Sequence, residues 1–382
     1  LQKLFVGDFS RVAPRDFRLA LKVLSSKFAV SSFSRFKVEI KFAKLESVQN
    51  EEFINNYSTP QMPETVSANV APTPDNPPWN GWIAIGVWVM SILFIFIFPT
   101  IFVFPYLISQ KIDLADRARL IEVMTTDKTA ILLQLLSVFP AHIFTLLFAW
   151  VIVTNLKKYP FRQMLGWDWG GFKIWHAFAV TVAFFGLGIG FKFVFPEQEN
   201  EMDKIVKSST AATYLVALFA TFTAPLVEEV VYRGILYSGL LKSFRTPLGV
   251  LLSKFRLFRL VKLILVKLQL LDLIEKFHTK YAVQLAVVFV TVLFAAIHIP
   301  QYSSNNVPDY GTITLLLLLS LVLTLIRVKT KNLLPCIVLH TVFNGIQSVL
   351  LVAQSFVPGA GETAPPTVPE TAAFIIHHLK IF

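Results

Sequence analysis

The sequence predicts an all-α, polytopic membrane helix bundle with about seven to eight transmembrane helices. Three observations predict it. Of 382 residues, 54% are hydrophobic and only 15% charged, where a soluble domain carries about a quarter. The apolar residues, with 36 Phe among them, gather in runs that reach the roughly 20 residues a spanning helix needs. Trp79, Trp82, Trp150, Trp167, Trp169 and Trp175 stand at or near the ends of these runs, as an interfacial aromatic belt would have them. The single cysteine, Cys336, excludes a disulfide framework and reads as a small packed hydrophobe in an apolar run. The net charge of +11 suits cytoplasmic loops and anionic lipid headgroups, so membrane lipids are expected partners and nucleic acid is not.

Residues 1–58 are polar and amphipathic, with Arg11, Arg15, Arg18, Lys22 and Lys27. They have no clean apolar core of a secretory signal and read as an N-terminal cytoplasmic region, partly disordered. Residues 59–79 read as a linker, because Pro60, Pro63, Pro72, Pro74, Pro77 and Pro78 exclude a helix interior and favour extended chain. The membrane bundle occupies 80–353, with spans expected at 82–108, 130–154, 172–195, 210–237, 281–299, 311–327 and 332–353. A tail, 354–382, follows.

Loop charges orient the bundle. The loop at 155–171 carries Lys157, Lys158 and Arg162 against Asp168, and the turn at 327–331 carries Arg327, Lys329 and Lys331. The loop at 196–209 is acidic on balance, and the loop at 300–310 has Asp309 and neither Lys nor Arg. Basic and non-basic loops alternate, so the positive-inside rule predicts a cytoplasmic N-terminus and an outer C-terminal tail. The stretch 241–280 places Arg245, Lys254, Arg256, Arg259, Lys262 and Lys267 in a Leu-, Phe- and Val-rich background. That pattern predicts an interfacial helix whose cations snorkel to headgroups.

Ionisable groups inside a span are costly and mark function. Three clusters carry them. In Ala224-Pro225-Leu226-Val227-Glu228-Glu229-Val230-Val231-Tyr232-Arg233-Gly234, Glu229 and Arg233 are four apart and share a helical face. Glu228 points about 100° away and has no local partner, which in an apolar surrounding suits a general base. A structural ion-pair cluster at a helix end is the alternative. The second cluster is Phe294 with His298, just before Pro300; a lone histidine there also reads as a satisfied core residue. In the third, His340 and Asn344 are four apart, so two donors project from one face, as an oxyanion needs. Hydrogen bonding between packed helices is the other reading. Together the clusters hold the parts for activating water against a peptide carbonyl, if the fold brings them together.

At these residues the chain resembles the CPBP family of intramembrane proteases, which includes type II CAAX prenyl endopeptidases and Abi-like proteins. That family's pattern is EExxxR, then FxxxH, then HxxxN, each on a membrane helix. Here Glu228-Glu229 with Arg233, Phe294 with His298, and His340 with Asn344 follow in that order, and the resemblance covers about 160–353. It implies an endopeptidase of glutamic type, a class historically called metalloproteases. Glu228 and His298 would activate the water, His340 and Asn344 would stabilise the oxyanion, and Glu229, Arg233 and Phe294 would support them. No cofactor is expected; a zinc ion would be held by Glu228, His298 and His340, although the HExxH signature is absent. The implied substrates are peptides or membrane proteins, prenylated CAAX-like ones included, and the expected location is a bacterial plasma membrane. The gap between Arg233 and Phe294 is longer than the family's, and 241–280 fills it as an insertion.

Two other classes compete. A catalytically idle scaffold could use the same bundle, but would not need all of Glu228, His298, His340 and Asn344. A secondary transporter would show two related halves, and no internal repeat is present. Gly186, Gly188 and Gly190 lie inside a spanning run and predict close helix packing rather than a nucleotide loop. Pro140 and His142 predict a kink in the second span.

Overall fold

The computed structural model describes residues 71–195, 199–246, 270–305 and 307–356, with side chains of 270–273 left aside. All belong to the unit that begins at Asn69. The N-terminal region 1–58, the first part of the linker, most of the basic stretch and the tail from 357 lie outside the described residues.

Eleven helices are described: α1 Gly81–Ser109, α2 Arg117–Thr126, α3 Lys128–Thr154, α4 Phe161–Leu165, α5 Ile174–Lys192, α6 Glu201–Ser208, α7 Thr210–Arg245, α8 Leu270–Lys280, α9 Ala282–His298, α10 Tyr310–Thr330 and α11 Leu334–Gln354. The strands among the described residues are the antiparallel pair β1 Ser303–Ser304 and β2 Val307–Pro308. Six helices are long and apolar enough to cross a membrane, or seven if the pair α8–α9, bent by 72°, counts as one span. The chain is an integral, polytopic helical membrane protein.

Polar caps set the helix starts. Asn80 accepts from the Ile83 N–H at 3.1 Å, Asp127 from Ala130 at 2.8 Å and Asp309 from Thr312 at 3.1 Å, each satisfying a donor the first turn leaves open. The fourth span runs further than the 210–237 expected. Residues 237–245 continue α7, with Lys242 and Arg245 in its last turn, where cations meet the helix dipole favourably. Residues 241–245 are therefore the end of a span and not the start of the interfacial insertion. Glu228 consequently lies midway along α7, about 25 Å from either end.

The core centres on α7. One buried cluster joins it to α1, α3, α9 and the 164–165 turn through Val87, Val153, Leu165, Val230, Leu236, Val290 and Phe294. A second joins α5, α10 and α11 through Phe184, Leu319, Leu323, Leu339 and Phe343. In lipid such contacts rest on close fit rather than on escape from water. Gly239 shows the fit: a Cβ there would stand 2.6 Å from Ala84 Cβ and 2.9 Å from Asn80 O. The expected packing glycines differ. Gly188 is buried, but Gly186 and Gly190 have open space where a Cβ would go.

One end of the bundle collects the basic loops. The Gly166 carbonyl accepts from Leu333 N–H at 2.7 Å, bringing the 155–171 loop to the 330–333 turn. Gly166 has φ +72°, and a Cβ would fall 2.8 Å from the Lys331 carbonyl, so only glycine suits both demands. The 71–80 segment is extended, as its prolines require, but it is bound rather than free. Arg327 donates to Asp75 at 3.0 Å and to the Pro74 carbonyl at 3.1 Å, and the Trp79 indole donates to Ile235 O at 3.1 Å.

Candidate active site

Pro225 shapes the helix that carries the two glutamates. The segment before it, Phe219–Thr223, is a π-helix, in which the Ala224 N–H bonds back to the Phe219 carbonyl. In that register the next carbonyl, Ala220, would take the N–H of residue 225, and proline has none. Asn344 of α11 supplies the missing donor, its Nδ2 standing 2.9 Å from Ala220 O. One of the two amide hydrogens of Asn344 is thus committed to the backbone of α7, and the other remains. Beside it, His142 Nδ1 and Thr223 Oγ1 lie 2.8 Å apart, so His142 fastens α3 to the same π segment.

Glu229 and Arg233 form the pair their spacing predicts. Arg233 Nη1 donates to Glu229 Oε1 at 2.9 Å, and neither side chain is exposed. Arg233 also donates to Ser320 Oγ at 2.7 Å, to the Ser320 carbonyl at 3.0 Å and to Thr324 Oγ1 at 3.3 Å, all on α10. Its guanidinium lies 4.6 Å from the Phe294 ring centre, a cation–π distance. Ser320 and Thr324 were not singled out from the sequence. The signal was present: in the Leu-rich α10, Ser320, Thr324 and Arg327 recur at four and three residues, one helical face.

His340 joins the two glutamates. Its Nδ1 is 2.8 Å from Glu229 Oε1, and its Nε2 is 3.8 Å from Glu228 Oε2. An ionised carboxylate only accepts, so Nδ1 carries the proton. Nε2 then faces Glu228 beyond direct hydrogen-bond reach. Glu228 keeps 24% of its side chain exposed, against none for Glu229. The two adjacent carboxylates therefore differ in kind: one is sealed against an arginine, the other is accessible.

Phe294 ties in the third motif. Its ring centre lies 6.1 Å from His340, 5.1 Å from Tyr232 and 4.7 Å from His298. His298 Nδ1 is 2.6 Å from the Phe294 carbonyl, which only accepts. His298 is thus also protonated on Nδ1, leaving Nε2 as the basic nitrogen. His298 ends α9 and is half-buried. The loop beyond it is closed by Tyr302 N–H to His298 O and Asp309 N–H to Tyr302 O, at 3.2 and 2.8 Å. Burial, then the charges of Glu228, Asp203 and Asp309, push the Tyr302 phenol well above the usual tyrosine range.

The fold brings Glu228, Glu229, Arg233, Phe294 and His340 into one contiguous set, with His298 stacked on Phe294 and Asn344 one turn beyond His340 on α11. Among the described residues no group of three His, Cys, Asp or Glu side chains is disposed to hold a metal ion. The set a zinc ion would require, Glu228, His298 and His340, does not fit that geometry here.

Residues 210–346 match a family model described as Rce1-like: type II CAAX prenyl endopeptidase Rce1-like. The match spans all three motifs and is narrower than the 160–353 over which the resemblance was read. No curated protein and no solved structure matches the chain.

Proposed function

Residues 210–346 form a domain of the Rce1-like family within an integral membrane protein, and from that premise we propose that the chain is an intramembrane endopeptidase of glutamic type. Its substrates are membrane-associated peptides or proteins, prenylated CAAX-like C-termini among them. One observation carries the reading. An acidic side chain midway along a spanning helix is accessible and faces the Nε2 of a buried imidazole at 3.8 Å, while the neighbouring carboxylate is sealed against an arginine. A carboxylate in the membrane that forms no ion pair with Lys or Arg has no structural reason to be there.

In this reading Glu228, aided by His298 Nε2, takes a proton from water as its oxygen adds to the scissile carbonyl. The oxyanion is met by the uncommitted N–H of Asn344 and by His340 Nε2. In its doubly protonated form His340 donates to Glu229 from Nδ1 and into the site from Nε2. The proton on Glu228 passes to the leaving amine. Every group that moves a proton belongs to this chain, and no cofactor enters the proposed steps. The gathering of Lys157, Lys158, Arg162, Lys329 and Lys331 at one end of the bundle supports a cytoplasmic N-terminus by the positive-inside rule.

The test compares peptide termini across cells that express wild type, Glu228→Gln or Glu229→Gln. New termini that appear with wild type and vanish with Glu228→Gln are expected, and they would name the substrates. Identical termini for wild type and Glu228→Gln would overturn the reading in favour of a scaffold.

A further inference from the structure

We propose that Tyr232 is a positioning residue of this site: its phenolic hydrogen is directed at Glu228 because Trp88 occupies the other side of the phenol oxygen. The proposal rests on the protease reading for its catalytic consequence, but not for its structural content.

The argument begins with donors and acceptors. The indole N–H of Trp88 can only donate, and it lies 3.0 Å from Tyr232 Oη. Tyr232 therefore accepts in that contact, and its own O–H must point elsewhere. The phenol is buried, with 6% of the residue exposed, and a buried hydroxyl without an acceptor is costly. Among the described residues its O–H donates to no other group, since the only hydrogen bond at Tyr232 Oη comes from Trp88. Glu228 lies four residues earlier on α7, one turn away, and its charge acts on the phenol more strongly than that of the adjacent Arg233. Edge contact with Phe294 at 5.1 Å fixes the ring plane. Trp88 comes from α1, a helix otherwise mostly turned to lipid, so α1 reaches the site through this one bond.

The consequence is a held carboxylate. A phenol that donates to the ionised form of Glu228 stabilises it and limits its rotation. The other groups around Glu228 are His340 from α11, Tyr302 from the loop after His298, and Glu229 and Arg233 of its own helix, which are tied to each other. None of these is altered by replacing Tyr232, so the difference between wild type and variant reports on the phenol alone.

The experiment is a pH titration of purified full-length protein in lipid nanodiscs, followed by infrared difference spectroscopy. The band of Glu228 is identified by its loss in Glu228→Gln. In Tyr232→Phe the removal of a donor to the charged form should move that band's midpoint to higher pH, by about one to two units, the worth of a hydrogen bond to a charged group. Trp88→Phe keeps the phenol but frees its orientation, and should move the midpoint the same way by less. If Tyr232→Phe fails to fold, Trp88→Phe alone decides. A midpoint that stays at the wild-type value in the folded variants overturns the proposal. Cleavage of a quenched farnesylated peptide in the same nanodiscs gives the second readout. Tyr232→Phe should lower kcat about tenfold with KM unchanged and shift the acid limb of its pH profile upward. Loss of cleavage dependence on Glu228 with the infrared shift intact would sink the protease reading and leave the positioning contact standing.

Discussion

Two fully buried arginines, Arg233 and Arg327, sit in the seam between α7 and α10. Each is compensated differently. Arg233 has a carboxylate, two hydroxyls and a carbonyl; Arg327 has Asp75, a carbonyl and Ser238 Oγ, and its Nε lacks a partner among the described residues. Removing one partner of a buried pair costs more than replacing both, since the remaining charge is stranded. Glu229→Leu alone should therefore destabilise the protein by about 3 kcal/mol or more. Glu229→Leu with Arg233→Met should recover most of that loss in thermal unfolding while remaining inactive. Glu228→Gln should behave in the opposite sense: unfolding near wild type, and cleavage reduced about 10²- to 10⁴-fold, the usual contribution of a general base.

At the scale of the element, α7 is a helix whose irregularity is functional. Its two π segments, Phe219–Thr223 and Val230–Leu236, flank the glutamates, and π segments of this kind recur at functional sites. The first is explained by Pro225, which leaves Ala220 O to be satisfied by Asn344. Residue 225 and Asn344 should therefore be energetically coupled. Asn344→Ala should cost about 1–3 kcal/mol in the wild-type background through the orphaned carbonyl. It should cost less in Pro225→Ala, where the backbone regains an N–H at 225. A double-mutant cycle on thermal unfolding measures that coupling, and additive effects would contradict the account. For the second π segment, Val230–Leu236, nothing in the structure identifies a comparable cause.

For the described unit as a whole, long-range polar contacts hold its parts in register. Asp75 and Arg327 are 252 positions apart in sequence, and the Lys242 ammonium reaches the Pro77 carbonyl at 2.5 Å. Asp75→Ala should raise hydrogen exchange across 71–80 and leave α11 protected, because the segment is anchored mainly through that arginine. Topology is a second test at this scale. A Lys158→Cys or Lys329→Cys label should be modified by a membrane-impermeant thiol reagent only after the membrane is opened, and a Ser304→Cys label before it. Cys336 is fully buried and should stay silent in both.

Local physics made much of this protein legible before any tertiary contact was known. Hydropathy locates the spans, because a bilayer demands a fixed length of apolar chain. Spacing gives the Glu229–Arg233 pair, because residues four apart meet on any helix. Motif order gives the family, since its residues are local runs. Other features were decided only by packing: which nitrogen of His340 meets which glutamate, the hold of Ser320 and Thr324 on Arg233, the donor from Asn344 to Ala220, the bond from Trp88 to Tyr232, and the anchoring of 71–80 by Arg327. The reason is specific to membranes. Lipid is as apolar as a protein core, so a spanning helix has little hydrophobic contrast between its faces. Its rotation and depth against its neighbours therefore leave almost no trace in the sequence. Only the assembled bundle sets them.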